Sequence, residues 1–269
     1  MSTYIGFIGC GNMGGALAKA AAKSELLTPG QIYLADPYQA EKMAVTLGGA
    51  KVKTNEEVAG QCDYIFLAVK PQMMKGVLEG IAPVLKARKD RFVLVTIAAG
   101  MSMESIQTMA GGEYPIIRLM PNMPAAVGKG MILYCSSKTN LHEMVNFLDI
   151  MKEAGRFDEI PESLIDAGSA VSGCGPAFAY LFIEALADGG VACGLPRQKA
   201  QEYATQTLLG AAEMVLKSGQ NPGALKDAVC SPGGTTIQGV RALEAGGFRS
   251  GAFEAVVAAY EKTLELGKK

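Results

Sequence analysis

The stretch Tyr4–Lys23, YIGFIGCGNMGGALAKAAAK, decides the fold. Tyr4, Ile5, Phe7 and Ile8 form a short apolar run broken only by Gly6, the pattern of a buried central strand. Gly9, Gly11 and Gly14 follow at G-x-G-x-x-G spacing, and good helix formers run on from Ala16. Each glycine has its own reason. The first lets the chain turn sharply off the strand. The second has no Cβ, so a pyrophosphate can approach the backbone, and the third lets helix and strand pack closely. The helix N-terminus then presents free N–H groups and a positive dipole end to an anion. A ligand-free strand–helix turn is the competing reading; strand before and helix after favour dinucleotide binding.

Outward from this stretch, strands and helices alternate. Gln31–Ala35 reads as a second strand ending at Asp36-Pro37. An acidic residue there, about twenty residues past the glycines, is placed to hold a ribose 2′-hydroxyl, or else to cap the segment that begins near Tyr38. Its charge favours NADH, and no arginine lies nearby to favour NADPH. Cys62–Val69 is strongly apolar and ends in Lys70-Pro71. In such sheets the C-terminal strand ends line the ligand crevice, so Lys70 is either an anion contact or a surface lysine. Arg91–Ala99, Tyr114–Met120 and Met131–Tyr134 read as further strands, with the proline-punctuated loop Pro121–Pro124 before the last. This grammar predicts an α/β fold, a Rossmann-type doubly wound and mostly parallel sheet.

Near Leu141 the pattern turns helical, with one last strand expected at Phe157–Ile160. Helices are expected at Leu164–Val171, Pro176–Ala192, Pro196–Lys217, Pro222–Val229, Ile237–Ala245 and Ala252–Leu266, punctuated by Gly194 and Gly219. The expected division is therefore residues 1–160 as the dinucleotide-binding domain and 161–269 as an all-helical domain. Ala177, Phe178, Leu181, Phe182, Ala185 and Leu186 nearly encircle their helix. A helix apolar on all sides must be buried, which predicts at least a homodimer built through this half.

Composition excludes other classes. With 49% hydrophobic and 19% charged residues the chain reads as globular, and a net charge of −1 without basic blocks argues against nucleic acid. Six scattered cysteines without a C-x-x-C pair argue against a disulfide framework or a metal site and suit a reducing, cytoplasmic compartment. No uninterrupted apolar run long enough for a bilayer is read, so no membrane partner is expected.

Ser231-Pro232-Gly233-Gly234-Thr235-Thr236-Ile237 is the second chemical signal. Two glycines, two threonine hydroxyls and a following helix suit a small anion such as a carboxylate; a capped helix start, with Thr235 or Thr236 as N-cap, is the plainer alternative. Together with Gly9–Gly14, Ala68–Pro71, Arg118–Pro124, Val171–Ala177, Asp188–Gly190 and Gly246–Arg249, this loop resembles the pyrroline-5-carboxylate reductase family. The resemblance implies a Rossmann domain, a helical dimerisation domain and a site where they meet; in some members the dimers assemble into rings. Carried over residue by residue, Ile8, Gly9, Cys10, Gly11, Asn12, Met13, Gly14, Asn55, Ala68, Val69, Lys70, Pro71 and Ala98 would contact NADPH or NADH, joined by Asp36 at the end of the second strand. Ser231, Gly234, Thr235, Thr236 and Glu162 would bind 1-pyrroline-5-carboxylate. Met123, Cys174 and Phe178 depart from the family pattern, where threonine, serine and tyrosine are usual.

The chain lacks an evident acid–base residue. Its one histidine, His142, lies in a polar-faced helix far from every motif. A ketone or alcohol substrate normally needs such a group, whereas a protonated cyclic imine is already activated, with Thr236 expected to orient it. Two rival readings are a 3-hydroxyacid-type dehydrogenase and a non-catalytic dinucleotide sensor. The first needs a lysine where Ala179 stands, and the second has no use for the 231–236 loop.

Overall fold

The computed structural model describes residues 2–267. Its elements, in chain order, are β1 (Ile5–Ile8), α1 (Asn12–Ala21), β2 (Ile32–Ala35), α2 (Ala40–Thr46), β3 (Lys51–Val52), α3 (Asn55–Gln61), β4 (Tyr64–Leu67) and α4 (Pro71–Ala87). There follow β5 (Val93–Thr96), α5 (Met103–Ala110), β6 (Ile116–Met120), β7 (Gly130–Ser137), α6 (Leu141–Met151), β8 (Gly155–Glu159) and α7 (Ile165–Ser172). The strands make one eight-stranded sheet in the order β3-β2-β1-β4-β5-β6-β7-β8. All neighbours are parallel except β6 and β7. The strand order reverses between β1 and β4, which puts the ligand crevice at their C-terminal ends, as the sequence pattern predicts.

The central strands read as unbroken apolar runs because helices cover both faces. Ile5, Phe7, Tyr64 and Phe66 point into one core with Leu17 of α1 and Phe147 of α6. Ile8, Ile65 and Leu67 point into the other, with Met74, Leu78 and Ile81 of α4. Phe7 and Phe66 stack with ring centroids 4.4 Å apart, and Phe147 lies 6.0 Å from Phe66.

The chain divides into two compact units. Residues up to Cys174, together with those from Ala259 onward, form one, and Gly175–Ala258 forms the other. The expected division after residue 160 thus lies inside the first unit. The reason is α7, whose Ile165 is fully buried with Met120, Leu133 and Cys135 of the sheet.

The remaining helices are α8 (Gly175–Ala192), α9 (Arg197–Ser218), α10 (Pro222–Val229), α11 (Thr235–Ala245) and α12 (Phe248–Gly267). In the second unit the buried hydrophobic residues are the alanines Ala187, Ala200 and Ala204, where α8 meets α9. Leu181 is 65% exposed and Phe253 67%, so the apolar circumference of these helices is not covered by this chain itself. No uninterrupted apolar run spans a bilayer's thickness, but the helical stretch Glu162–Ala192 reaches that length with charges inside it. It is long and apolar enough to cross a membrane by length and composition, and 11% of its most apolar window is buried. Isolated charges interrupt the run without lowering its average hydropathy far.

Truncating Phe66→Ala removes the middle ring of the aromatic stack and is expected to cost about 3–5 kcal/mol. Urea unfolding followed by circular dichroism measures it.

Candidate active site

Gly9 leaves β1 with φ +100°, a conformation L side chains rarely adopt, and a Cβ placed there would lie 2.6 Å from the Ala68 carbonyl oxygen. Its N–H donates to the Ala35 carbonyl at the end of β2 (2.8 Å), while the Ala68 N–H donates to the Ile8 carbonyl (2.8 Å). The glycine turn is therefore tied to strands on both sides. Gly14 serves helix packing. A Cβ there would lie 2.3 Å from the Gly9 carbonyl oxygen and 2.9 Å from the Ala68 methyl, so its absence lets α1 close on the glycine turn and on the chain that leaves β4. A Cβ at Gly11 would point into open space, with nothing within 4 Å beyond its chain neighbours. Gly11 is the N-cap of α1, has no side chain of its own, and leaves the first N–H groups of the helix uncovered. That open cradle fits a pyrophosphate, which makes three different demands on three glycines.

The other expected cofactor residues gather at the same sheet edge or near it. Ala68, Val69 and Lys70 follow β4, and Pro71 opens α4 at its first position. Lys70 is exposed, and among the described residues its ammonium has no hydrogen bond or ion pair. Ala98 follows β5, buried, with its N–H on the Thr96 hydroxyl (3.3 Å). Asn55 is the first residue of α3, behind a capping box formed by Thr54 and Glu57. Asn12 and Met13 start α1. Cys10 is buried, and burial first and the Asp36 charge second push its thiol up to about 12, so it stays protonated.

Asp36 does more than either sequence reading foresaw. Its Oδ1 accepts from the Tyr38 and Gln39 N–H groups, and its Oδ2 accepts from the Cys10 N–H, all at 2.8 Å. It caps the turn into α2 and clamps the glycine turn at once. Burial alone would raise its pKa, but the three backbone donors together hold it below the ordinary carboxylate value.

Glu162 lies in a charged cluster the sequence reading did not anticipate. One of its carboxylate oxygens accepts from the Met103 N–H at the start of α5 (2.7 Å) and from Arg118 of β6 (3.2 Å). Arg118 also reaches Asp166 of α7 at 2.9 Å, and its side chain is only 5% exposed. The Nε of Arg118 has no hydrogen-bond partner. A lone arginine inside the apolar strand IIRLM was the signal available, because a buried guanidinium requires carboxylates. Asn122 was missed likewise: its amide bridges the Ser172 carbonyl (2.8 Å) and the Met131 N–H (3.0 Å).

In the second unit, Ser231–Gly234 closes a tight bend, with the Gly234 N–H on the Ser231 carbonyl (3.0 Å) and Gly233 at φ +69°. Helix α11 begins at Thr235, two residues earlier than expected, so the N-cap is Gly234 and neither threonine caps the helix. Thr235 and Thr236 are exposed, and among the described residues neither hydroxyl is hydrogen-bonded. The bend thus presents free hydroxyls beside a helix N-terminus. His142 is exposed at the start of α6, in a pocket lined also by Arg91 and Asp63. Of the departures from the family pattern, Met123 lines a groove between α1 and α2, Cys174 lies in the turn after α7, and Phe178 is half-buried early in α8.

The match to known proteins is full-length. Residues 162–266 match the family model described as pyrroline-5-carboxylate reductase dimerisation. Residues 4–100 match NADP oxidoreductase coenzyme F420-dependent. The pyrroline-5-carboxylate reductase of Escherichia coli (strain K12) is 42% identical, with all of both chains covered. That of Glycine max is 41% identical over 98% of this chain and 96% of the relative. The chain belongs to the pyrroline-5-carboxylate reductase family. A solved pyrroline carboxylate reductase from Plasmodium falciparum, with NADP bound, superposes with a TM-score of 0.88 at 37% identity, covering 98% of each chain. The family's dimerisation model spans α7 to α11 and most of α12, and so includes the helices with uncovered apolar surface.

Two alanine substitutions separate strain from ligand access in this family member. Gly9→Ala meets both a disfavoured φ and the Ala68 carbonyl and is expected to lower stability by at least about 1–3 kcal/mol. Gly11→Ala meets no atom and should leave the melting temperature within about 2 °C, since unstrained surface changes stay near 0.5 kcal/mol. Thermal unfolding of both variants beside the parent checks the contrast.

Proposed function

We propose that this chain reduces the C=N bond of 1-pyrroline-5-carboxylate to give L-proline, the final step of proline biosynthesis, using NADPH or NADH. The observation that carries the reading is the Ser231–Thr236 bend, with its two unbonded hydroxyls, in a chain that also holds an open glycine cradle. Residues Ile8–Gly14 would hold the pyrophosphate, and Asp36 the adenosine side. Asn55, Ala68–Pro71 and Ala98 would line the rest of the dinucleotide. When bound, the reduced nicotinamide supplies the hydride that adds to the imine carbon.

The chain's own residues bind and orient the substrate. The α11 N-terminus and the Ser231 hydroxyl suit the substrate carboxylate, with Gly234 allowing its close approach. Thr235 and Thr236 contact the ring, and the Thr236 hydroxyl accepts from the protonated ring nitrogen, fixing which carbon faces the hydride. No side-chain acid is required, because the iminium arrives with its proton; this accounts for the exposed His142. Glu162 contributes through the start of α5, where it holds the Met103 N–H.

The functional division follows residues 1–160 for the dinucleotide and 161–269 for substrate and dimerisation, supported by the family match that begins at residue 162. The apolar helices pair with a second copy of this chain, and rings of such dimers are the further assembly. A second copy also accounts for the apolar stretch Glu162–Ala192 without a membrane. The protein works in the reducing cytoplasm, where its six free cysteines are stable. The 3-hydroxyacid dehydrogenase reading lacks its lysine at Ala179, and a pure sensor would leave the 231–236 bend without purpose.

Mixing the protein with pyrroline-5-carboxylate and either reduced cofactor should consume cofactor fluorescence. Turnover of 3-hydroxyacids instead, or binding without turnover, would remove this reading. Thr236→Ala is expected to lower kcat/KM by about 10²-fold, the range for a lost orienting contact; unchanged kinetics would show that the hydroxyl does not touch the ring. Leu181→Glu should shift the sedimentation coefficient toward the monomer, since a charge buried at an apolar interface has no partner.

A further inference from the structure

Asp36 stands at the end of β2, where the acidic residue of a dinucleotide fold meets the adenosine ribose. Its carboxylate is largely occupied by the protein. Oδ1 takes the Tyr38 and Gln39 N–H groups, and Oδ2 takes the Cys10 N–H. An ionised carboxylate has about four acceptor sites, which leaves one, on the oxygen that faces the glycine turn. A ribose 2′-hydroxyl can donate to that site. A 2′-phosphate cannot, since at neutral pH it has almost no proton to give and brings negative charge against negative charge.

The chain segment that carries the carboxylate supplies nothing to offset that repulsion. The segment Asp36–Glu41 contains no lysine or arginine and adds the carboxylate of Glu41. Lys53 is bonded to Glu57 at 2.7 Å and lies over the Tyr33 ring, 5.7 Å from its centroid. Lys19 and Lys42 share the groove between α1 and α2 with Cys10, Gly11 and Gln39, and among the described residues neither is paired with the Asp36 carboxylate. Moving the carboxylate aside would also break the Cys10 contact that clamps the glycine turn, so the negative charge is fixed in place.

We infer that Asp36 determines cofactor specificity: it accepts the 2′-hydroxyl of NADH and repels the 2′-phosphate of NADPH, making this chain an NADH-preferring member of its family. The inference rests on the reductase reading for its kinetic test but not for its binding test. The Plasmodium falciparum relative was solved with NADP bound, so the preference inferred here is one of this chain and is not extended to its relatives.

The test uses the full chain and two variants, Asp36→Ser and Asp36→Asn. Dissociation constants for NADH and NADPH are measured separately by cofactor fluorescence without substrate, followed by initial rates with pyrroline-5-carboxylate. The parent should favour NADH at least tenfold in both Kd and kcat/KM. Asp36→Ser should move the ratio at least tenfold toward NADPH, carried mainly by KM. Asp36→Asn removes the charge and keeps one acceptor oxygen, enough either for the Cys10 N–H or for the Tyr38 and Gln39 N–H groups but not for both; it should move the ratio the same way, and it decides the question if the serine variant fails to fold. Equal or better binding of NADPH by the parent overturns the inference. So does an equal weakening of both cofactors in the variants, which would mean that Asp36 only shapes the turn. Absence of turnover with either cofactor would instead count against the reductase reading, while the ratio of the two dissociation constants still decides the role of Asp36.

Discussion

Everything in the first unit is arranged around one close approach, that of the Gly9 backbone to the Ala68 carbonyl between β1 and β4. No residue with a Cβ fits there, and the positive φ of Gly9 excludes most side chains independently. The approach brings the ends of three adjacent strands into register, because Gly9 bonds to Ala35 of β2 and Ala68 bonds to Ile8 of β1. The groups offered to a dinucleotide therefore sit on rigid strand ends and a helix start. A site built that way loses little entropy on binding, since its donors are already aimed.

Charge reinforces the same geometry at two places. Asp36 gathers three backbone N–H groups and so converts an exposed strand end into a fixed anionic wall beside the glycine turn. Arg118 does the converse inside the sheet, where Glu162 and Asp166 neutralise a guanidinium shut off from water. Such buried ions are costly unless each partner stays in place, so they fix one arrangement of β6, α5 and α7 and disfavour near alternatives. By holding the Met103 N–H, Glu162 ties that arrangement to the chain that follows β5, which contains Ala98.

The helical unit follows another logic. Small residues let α8 and α9 come together, and Gly190 sits where a Cβ would lie 3.1 Å from the Ala200 methyl. The large apolar side chains instead point outward, among them Tyr180, Leu181, Leu209 and Phe253. A unit whose core is made of alanines has little hydrophobic stabilisation of its own, and the family to which the chain belongs uses this segment for dimerisation.

How much was legible in advance depended on the range of the forces involved. Strand and helix positions, the separate roles of the three glycines and the excess of apolar surface on α8 follow from neighbouring residues, because periodicity and backbone freedom are local properties. The parallel sheet followed from the same pattern, since strands buried on both faces read as unbroken apolar runs. What lay beyond local reading were the partners: Asp36 with Cys10, Arg118 with Glu162 and Asp166, and Asn122 with Ser172 are joined by hydrogen bonds across 26 to 50 residues of chain. The start of α11 at Thr235 was also out of reach, because a Ser-Pro-Gly-Gly bend permits several entry points and only its closure on the Ser231 carbonyl selects one. The sequence by itself determined which segments fold and which faces are apolar. Only the tertiary structure decided where each charge finds its counterpart, since desolvation and hydrogen-bond geometry act between groups that meet only after the sheet has formed.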